Sequence, residues 1–226
     1  MTKPLLSIGL FILSYLLGSI PSAVWIGKLV HRVDVREHGS GNAGATNVLR
    51  VLGWKTAIPV LFIDMVKGFA AVHLLHLTGL SQEGRELINM EIVAGVCAVL
   101  GHIFPVFAQF RGGKGVATVT GVVIAIQPYP SLIAACVFLL ILMLTRYVSL
   151  SSISAGLAFP LSEIFFFQTG NLTLLVFSLA IFVGLLITHY KNIERLLEGK
   201  ENKITIKGQP QSRIAQDYTN NPDRIY

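Results

Sequence analysis

Three glycines within six residues, Gly39, Gly41 and Gly44, open a polar stretch in a largely apolar chain. Glycine lets the backbone turn its amide groups toward one point without a Cβ in the way, and convergent amides attract an anion. The residues that follow predict a short helix from about Ala45 to Gly53, and a helix N-terminus also favours negative charge. The stretch Gly39 to Arg50 therefore predicts an anion site, and its turn, Gly39 to Gly44, is called the first glycine loop.

The 3.6-residue period gives the helix after this loop an apolar face and a polar face. Asn42, Thr46 and Arg50 fall on the polar face, with Asn47 beside them and Ser40 in the loop. The glycines also satisfy G-x-G-x-x-G, but a dinucleotide site needs a preceding strand and a βαβ unit, which the sequence does not predict. A solvated connection between two membrane spans is the alternative to an anion site.

A second glycine-rich turn, Gly112-Gly113-Lys114-Gly115, again precedes a helix. This second glycine loop predicts another anion site, because a lysine stands among backbone amides. It is not a Walker A loop, since Gly115 follows Lys114 where that motif has serine or threonine. A plain tight turn is the alternative for this loop alone, but two such loops on one face of a membrane protein favour anion binding.

Two further polar groups stand at the ends of apolar runs. Ser149, Ser151 and Ser152 could donate to a phosphate or cap the next helix, and capping is the expected role of any single one. His189 and Asn192 are three residues apart and share a helix face. A charged surface helix is the alternative there, but the predicted location beside both glycine loops favours a role in binding.

Three ionisable residues fall within or beside apolar runs. Asp64 and Lys67 are three residues apart, and because unpaired charge is costly in a membrane we expect them to pair. A structural brace under the first glycine loop is favoured over direct catalysis. His102 is expected to be a hydrogen-bonded core histidine and not a base.

The composition predicts an all-α, polytopic integral membrane protein. Of 226 residues, 53% are hydrophobic and 13% charged, and the mean hydropathy is +0.65. A span needs about 20 mainly apolar residues, and the apolar runs predict a compact bundle of about seven: Leu5–Ile26, Thr56–Leu77, Ile88–Phe107, Val116–Gln127, Ser131–Leu144, Ile153–Phe167 and Leu172–Thr188. Pro21 predicts a kink in the first. That run could instead be a cleaved signal sequence, although a single lysine, Lys3, is little positive charge for the N-terminal region of a signal sequence.

Basic residues decide the predicted orientation. Nearly all of the 18 Lys and Arg residues follow odd-numbered runs, whereas Lys3 and Arg85 fall on the other side and Lys67 lies within a run. The positive-inside rule therefore predicts an outside N-terminus and a cytoplasmic C-terminus. The net charge of +6 then belongs largely to one face, which suits anionic lipid headgroups or anionic substrates and gives no reason to invoke nucleic acid.

The remaining residues bound the chemistry. Residues 1–199 are expected to form one transmembrane domain, and the polar tail 200–226 to be flexible and dispensable for chemistry. Cys97 and Cys136 lie in apolar runs and predict no metal site. The loops contain no carboxylate pair, and no Ser/His/Asp constellation is evident, so we expect an already activated donor and no cofactor.

Three segments resemble the three signature motifs of the bacterial acyl-phosphate:glycerol-3-phosphate acyltransferases, the PlsY family. They are Gly39–Arg50, Gly112–Thr118 after Phe104-Pro105, and His189–Glu198. The resemblance implies transfer of a fatty acyl chain from acyl-phosphate to the sn-1 hydroxyl of glycerol 3-phosphate, giving lysophosphatidic acid and phosphate in the first acylation step of phospholipid synthesis. It also implies seven spans, no metal, a bacterial inner membrane, a cytoplasmic active site and, as a partner, the soluble enzyme that makes acyl-phosphate.

The resemblance also implies roles for single residues. Glycerol 3-phosphate would be held by Ser40, Arg50 and Lys114. Acyl-phosphate would be held by the amides of Gly112 to Gly115 with His189 and Asn192. The first glycine loop would be shaped by Asn42, Thr46 and Asn47, and one of Ser149, Ser151 and Ser152 would touch substrate. Either a substrate phosphate or His189 would take the proton, and Arg111 stands where the family often has lysine.

Two rival classes remain open. A transporter of anions would also carry cationic cytoplasmic loops, but it should show internal repeats or broken helices in matching halves, and the sequence has no such symmetry. A purely structural lipid-binding protein would tolerate the loss of Lys114 or His189 without losing a reaction.

Overall fold

The computed structural model describes residues 3–78, 84–168 and 170–204. These residues form α-helices and short helical turns without any strand, which confirms the prediction of an all-α membrane protein. The ten α-helices are α1 Lys3–Gly18, α2 Ser22–His31, α3 Ala45–Leu52, α4 Trp54–His73, α5 Arg85–Ile103, α6 Val116–Ile126, α7 Pro128–Thr145, α8 Val148–Ser162, α9 Leu172–Thr188 and α10 Tyr190–Leu197.

The chain divides into two compact units. Residues up to Val122 belong to the first unit and Val123–Ile204 to the second. Four helical stretches of the described chain are long and apolar enough to cross a membrane, namely Trp54–Leu77, Arg85–Ala108, Pro128–Thr145 and Val148–Phe167. Two bent helix pairs, α1 with α2 and α9 with α10, raise the number to six, while α6 is shorter. The predicted seven spans therefore stay a prediction.

In the first unit, a break between α1 and α2 confirms the predicted kink. The two helix axes differ by 41° at Pro21, which has no N–H to continue the helix. Beyond the break, Ala23 joins a core of buried apolar residues with Val35, Val48, Ala57 and Val60. This core fixes the short helix α3 against α2 and α4, and so it places the segment that follows the first glycine loop.

In the second unit, α8 changes to a π-helical turn over Glu163–Phe167, just beyond Pro160. Glu163 is buried, and Ser178 of α9 donates to its Oε2 at 3.0 Å. Its place near the end of an apolar run would suit an interfacial residue, but the structure shows a buried one. A buried serine on the neighbouring helix takes the place of water.

The chain is also packed beyond the expected boundary at Gly199. Glu201 is buried, the backbone N–H of Ile204 donates to the carbonyl of Arg146 at 2.9 Å, and Lys203 lies over the ring of Tyr147. Residues 200–204 were expected to belong to a flexible tail, but these contacts pack the end of the described chain within the second unit. The rest of that tail, 205–226, lies outside the described residues.

Candidate functional site

The first glycine loop turns as its sequence predicts. Gly39 and Gly41 have φ of 62° and 72°, in the left-handed region that side chains with a Cβ disfavour. The loop ends at Gly44, the N-cap of α3, and the helix then runs from Ala45 to Leu52, within one residue of the predicted bounds. Val48 and Val51 are fully buried, which confirms the predicted apolar face.

Asn47 builds this loop from inside. Its Oδ1 accepts a hydrogen bond from the backbone N–H of Ser40 at 2.8 Å, and its Nδ2 donates to the carbonyls of Val35 at 2.7 Å and His38 at 3.1 Å. The side chain is 1% exposed. The side-chain amide thus forms its hydrogen bonds within the loop itself. Asn47 therefore shapes the turn and does not lie on the polar face of α3.

Four other predicted residues of this segment lie nearer the surface. Ser40 is exposed, and Asn42, Thr46 and Arg50 are partly exposed. The burial of Val48 and Val51 leaves the opposite side of α3 for Thr46 and Arg50. The segment thus offers two hydroxyls, an amide and a guanidinium at the outer side of the turn.

The second glycine loop lies directly against the first. The backbone N–H of Gly113 donates to the carbonyl of His102 at 3.2 Å, and Gly115 has a φ of 83°. A Cβ built on Gly113 would stand 3.1 Å from the carbonyl oxygen of Ala43 in the first glycine loop. The structure thus brings Gly112, Gly113 and the partly exposed Lys114 to the first glycine loop.

A cluster of buried polar side chains lies beneath the two loops. Lys67 Nζ is 2.8 Å from Asp64 Oδ1, which confirms the expected pair, and Ser22 Oγ donates to the same oxygen at 2.8 Å. Lys67 also donates to the carbonyl of Ile20 at 2.9 Å, next to the break at Pro21. Asp64 is 1% and Lys67 5% exposed, so each charge depends on the other.

One small cavity joins this cluster to both loops. Its lining includes Ser22, Asp64 and Lys67 of the cluster together with the buried His102. Three residues of the glycine loops complete this part of the lining: Ala43, Gly112 and Gly113. Asp64 Oδ2 has no hydrogen-bond partner among the described residues. The expectation of a brace under the first loop was too narrow, because the cluster borders both loops.

The structure also assembles a serine, a histidine and an aspartate that we did not recognise as a set. His102 Nδ1 lies 3.6 Å from Asp64 Oδ1, and Ser22 Oγ donates to that same oxygen. A nucleophilic triad needs the serine to donate to the histidine and the histidine to the aspartate. Here the serine donates to the aspartate and not to the histidine, so the order is wrong for an activated serine. His102 is buried as expected of a core histidine, but its Nδ1 has no hydrogen-bond partner among the described residues.

In the second unit, the three predicted serines do not cap α8. Ser151 Oγ and Ser152 Oγ each donate at 2.8 Å to the carbonyl four residues earlier, on Tyr147 and Val148. Ser149 Oγ donates to Glu201 Oε1 at 3.0 Å. The expected capping role is therefore wrong, because Tyr147 is the N-cap and its side chain forms no cap hydrogen bond.

Glu201 is the residue that sequence reasoning missed. Its Oε1 also accepts from Asn192 Nδ2 at 2.7 Å, and its Oε2 accepts from Arg195 Nε at 2.7 Å. Burial alone would raise the pKa of this carboxyl, but the hydrogen bonds from Asn192, Arg195 and Ser149 outweigh it and lower the pKa. The sequence feature that indicates this fold-back is Gly199. Its φ of 68° ends α10 and turns the chain, so that the acidic residue that follows lies back along the helix.

His189 stands at the bend of 64° between α9 and α10. It is 3% exposed, and its Nδ1 lies 2.9 Å from the carbonyl oxygen of Leu185. Because a carbonyl only accepts, Nδ1 carries the proton, and in the neutral ring Nε2 carries the lone pair. Across the described ranges, no group of three or more His, Cys, Asp or Glu side chains is placed to hold a metal ion.

Replacing Glu201 by glutamine should destabilise the second unit. A hydrogen bond to a charged group contributes about 1.5–3 kcal/mol, and Glu201→Gln loses the charge that Asn192 and Arg195 face. A carboxyl with a lowered folded pKa stabilises the fold at neutral pH, and this contribution disappears as the pH falls below the usual glutamate range. Thermal melting in detergent should therefore show a lower midpoint for Glu201→Gln at pH 7.

The difference between the same variant and the parent should shrink as the pH falls through the lowered pKa of Glu201. The matched control is Glu198→Gln, because Glu198 lies on the outer side of the same turn and its partner, Lys200, is 72% exposed. Equal midpoints for the parent and Glu201→Gln at pH 7 would contradict the role of this carboxylate.

Comparison with known proteins gives a consistent picture. A family model described as glycerol-3-phosphate acyltransferase matches residues 8–199. A glycerol-3-phosphate acyltransferase of Chlorobium luteolum is 42% identical over 221 residues, which cover 85% of this chain and 94% of that protein. One of Salinibacter ruber is 41% identical over 209 residues, which cover 87% of this chain and 91% of the relative.

Two solved structures are similar as well. The crystal structure of PlsY (YgiH), an integral membrane glycerol 3-phosphate acyltransferase, in its glycerol 3-phosphate form is 40% identical with a TM-score of 0.77. That match covers 88% of this chain and 96% of the other. The lysophosphatidic acid form is 39% identical with a TM-score of 0.75, covering 89% and 97%.

Proposed function

The chain belongs to the glycerol-3-phosphate acyltransferase family, and from that premise we propose that it acylates the sn-1 hydroxyl of glycerol 3-phosphate with an acyl-phosphate donor. It is a membrane acyltransferase of phospholipid synthesis. The products would be lysophosphatidic acid and inorganic phosphate. The identity of the acyl donor and the roles of single residues are the parts of this function that we propose.

One observation carries the proposal for the acceptor site. The two glycine loops lie close together at Gly113 and Ala43, with Arg50 following the first loop by six residues and Lys114 standing within the second. Convergent backbone amides with two cations suit a dianionic phosphate. We therefore assign Arg50, Lys114 and Ser40 to the phosphate of glycerol 3-phosphate.

The donor is assigned to a second group of residues. The amides of Gly112 to Gly115 other than Gly113, whose N–H donates to His102, would with His189 and Asn192 hold the phosphate of the acyl-phosphate, in line with the motifs that carry the resemblance. Asn192 already donates to Glu201, which orients its amide, and Leu185 fixes the ring of His189. Ser149 is oriented by Glu201 in the same way.

The reaction needs little from the protein beyond placement. The acceptor hydroxyl oxygen attacks the acyl carbon, the bond from that carbon to the phosphate oxygen breaks, and inorganic phosphate leaves with the electron pair. A mixed anhydride has a good leaving group, so positioning and charge neutralisation supply most of the rate. A substrate phosphate takes the hydroxyl proton in our preferred scheme, and Nε2 of His189 is the competing acceptor.

The membrane setting combines the resemblance with charge. We propose a bacterial inner membrane with seven spans, as the family resemblance implies, and we place the N-terminus outside and the active site at the cytoplasm because the basic residues follow odd-numbered runs. Acyl-phosphate would then come from a soluble enzyme that meets this face.

The proposal is tested by phosphate release from purified protein in lipid given palmitoyl-phosphate, with and without glycerol 3-phosphate. Release should depend on the acceptor, with lysophosphatidic acid as the product. Arg50→Ala and Lys114→Ala should each lower kcat/KM about 10- to 100-fold, because each removes a charged partner of a phosphate. Arg85→Ala, on the other predicted side of the membrane, is the matched loss of a cation and should leave the rate unchanged.

Two results would overturn the assignment. Absence of acceptor-dependent release from folded protein would reject the transferase and favour a transporter, which glycerol 3-phosphate uptake into vesicles would then test. Full activity of both Arg50→Ala and Lys114→Ala would leave the reaction standing and remove these residues from it.

A further inference from the structure

Arg36 joins the two segments that lead into the glycine loops. Its Nη1 donates to the carbonyl of Ala108 at 2.9 Å, a contact between residues 72 positions apart. Arg36 precedes Gly39 by three positions, and Ala108 precedes Gly112 by four. A single guanidinium therefore connects the entrance of the first loop to the entrance of the second.

The other side of the guanidinium is fixed by Asp34. Arg36 Nε donates to Asp34 Oδ1 at 2.9 Å and Nη2 donates to Oδ2 at 2.7 Å, a bidentate pair with side chains 11% and 9% exposed. The backbone N–H of Arg36 also donates to Asp34 Oδ1 at 3.0 Å and so caps the short turn Val35–Glu37. The hydrogen bond from Arg36 holds the pKa of Asp34 well below its usual range, so the carboxylate stays charged at neutral pH.

The segment that receives this hydrogen bond has an unfavourable backbone. Gln109 and Phe110 have φ of 57° and 58°, and two successive non-glycine residues in the left-handed region are unusual. The turn is held by Pro105, whose carbonyl accepts from the N–H groups of Ala108 at 3.1 Å and Phe110 at 2.9 Å. Arg36 adds a bond from outside the turn, and the chain leaves it directly into Arg111 and the second glycine loop.

We propose that the pair of Asp34 and Arg36, named the clamp, sets the position of the second glycine loop relative to the first. Asp34 and Arg36 are positioning residues, because they act through Ala108 and touch no reacting atom. This role rests on the proposed function, in which both loops bind substrate phosphates. Without the clamp, the strained turn at Gln109 relaxes and Lys114 no longer shares one phosphate with Arg50.

The clamp is tested with Arg36→Lys and Arg36→Ala in the full-length protein in lipid. A lysine keeps the charge but is a single point donor that cannot bridge Asp34 and Ala108 at once. Both variants should therefore raise the KM for glycerol 3-phosphate at least about 10-fold, the loss expected for one charged hydrogen bond, while kcat at saturation changes less than about threefold. Melting midpoints measured alongside separate loop placement from general stability.

The matched control is Lys28→Met. Lys28 contacts the same carboxylate, with Nζ 3.0 Å from Asp34 Oδ2, but its side chain is 53% exposed and it is no part of the link to Ala108. Its KM should stay within about twofold of the parent, as expected for an exposed ion pair.

Three outcomes would overturn the clamp. The first is an unchanged KM in folded Arg36→Ala. The second is a normal KM in Arg36→Lys, which would show that the positive charge alone, and not the bridge to Ala108, sets the KM. Failure of both variants to fold would assign the pair to folding. Inactivity of the parent itself, in contrast, rejects the proposed function, so the two failures are distinguishable.

Discussion

Gly113→Ala should abolish most of the activity while leaving the protein folded. A Cβ at this position would overlap the Nε2 atom of the buried His102 ring and stand 3.1 Å from the carbonyl oxygen of Ala43. The methyl group therefore has to separate the two glycine loops or displace His102. A shift of about 1 Å in a group that positions substrate can cost about 100-fold in rate, and we expect at least that loss in kcat/KM for acceptor-dependent phosphate release.

The stability of Gly113→Ala should change much less than its activity. Overpacking a well-packed site costs about 1–3 kcal/mol. The control is Gly184→Ala in α9, where a Cβ meets nothing within 4 Å and alanine suits a helix better than glycine. Wild-type kcat/KM in Gly113→Ala would show that the spacing of the loops does not matter for the reaction.

The features that the sequence predicts well are local. The turn at Gly39 and the helix that begins at Ala45 depend on glycine conformation and on the 3.6-residue period, and both act within a few residues. The break at Pro21 follows from a missing N–H group in the same way. Asp64 and Lys67 were expected to pair because they are one helical turn apart.

The features that were missed depend on contacts between distant residues. Glu201 is buried because Ser149, 52 positions away, and Asn192 both donate to it; Gly199 indicates the turn before Glu201 but does not identify these partners. In the sequence, Arg36 is one of many predicted cytoplasmic cations, but in the structure its guanidinium donates to the carbonyl of Ala108. Asn47 was placed beside the polar face of α3, but its amide turns inward to the loop backbone, in keeping with the loop-shaping role that the resemblance implies.

Removing one charge of the buried pair should have the largest effect on stability. Asp64→Asn leaves the ammonium of Lys67 buried without its carboxylate, and Lys67→Met leaves the carboxylate of Asp64 with Ser22 and the more distant His102. Breaking a buried ion pair costs about 3–5 kcal/mol, against about 5–15 kcal/mol of total stability for a typical protein. Each single variant should lower the melting midpoint in detergent by about 10 °C and reduce the yield of folded protein.

The double variant Asp64→Asn with Lys67→Met distinguishes the effect of the two buried charges from the effect of the shapes of the two side chains. It removes both charges at once, so no buried ion is left without a partner, and it should melt closer to the parent than either single variant. Since Asp64, Lys67 and Ser22 line the cavity beside Gly113, the double variant should still have altered kinetics although it folds. Additive losses of stability in the double variant would show that the two charges act independently, and the cluster would then be no brace for the glycine loops.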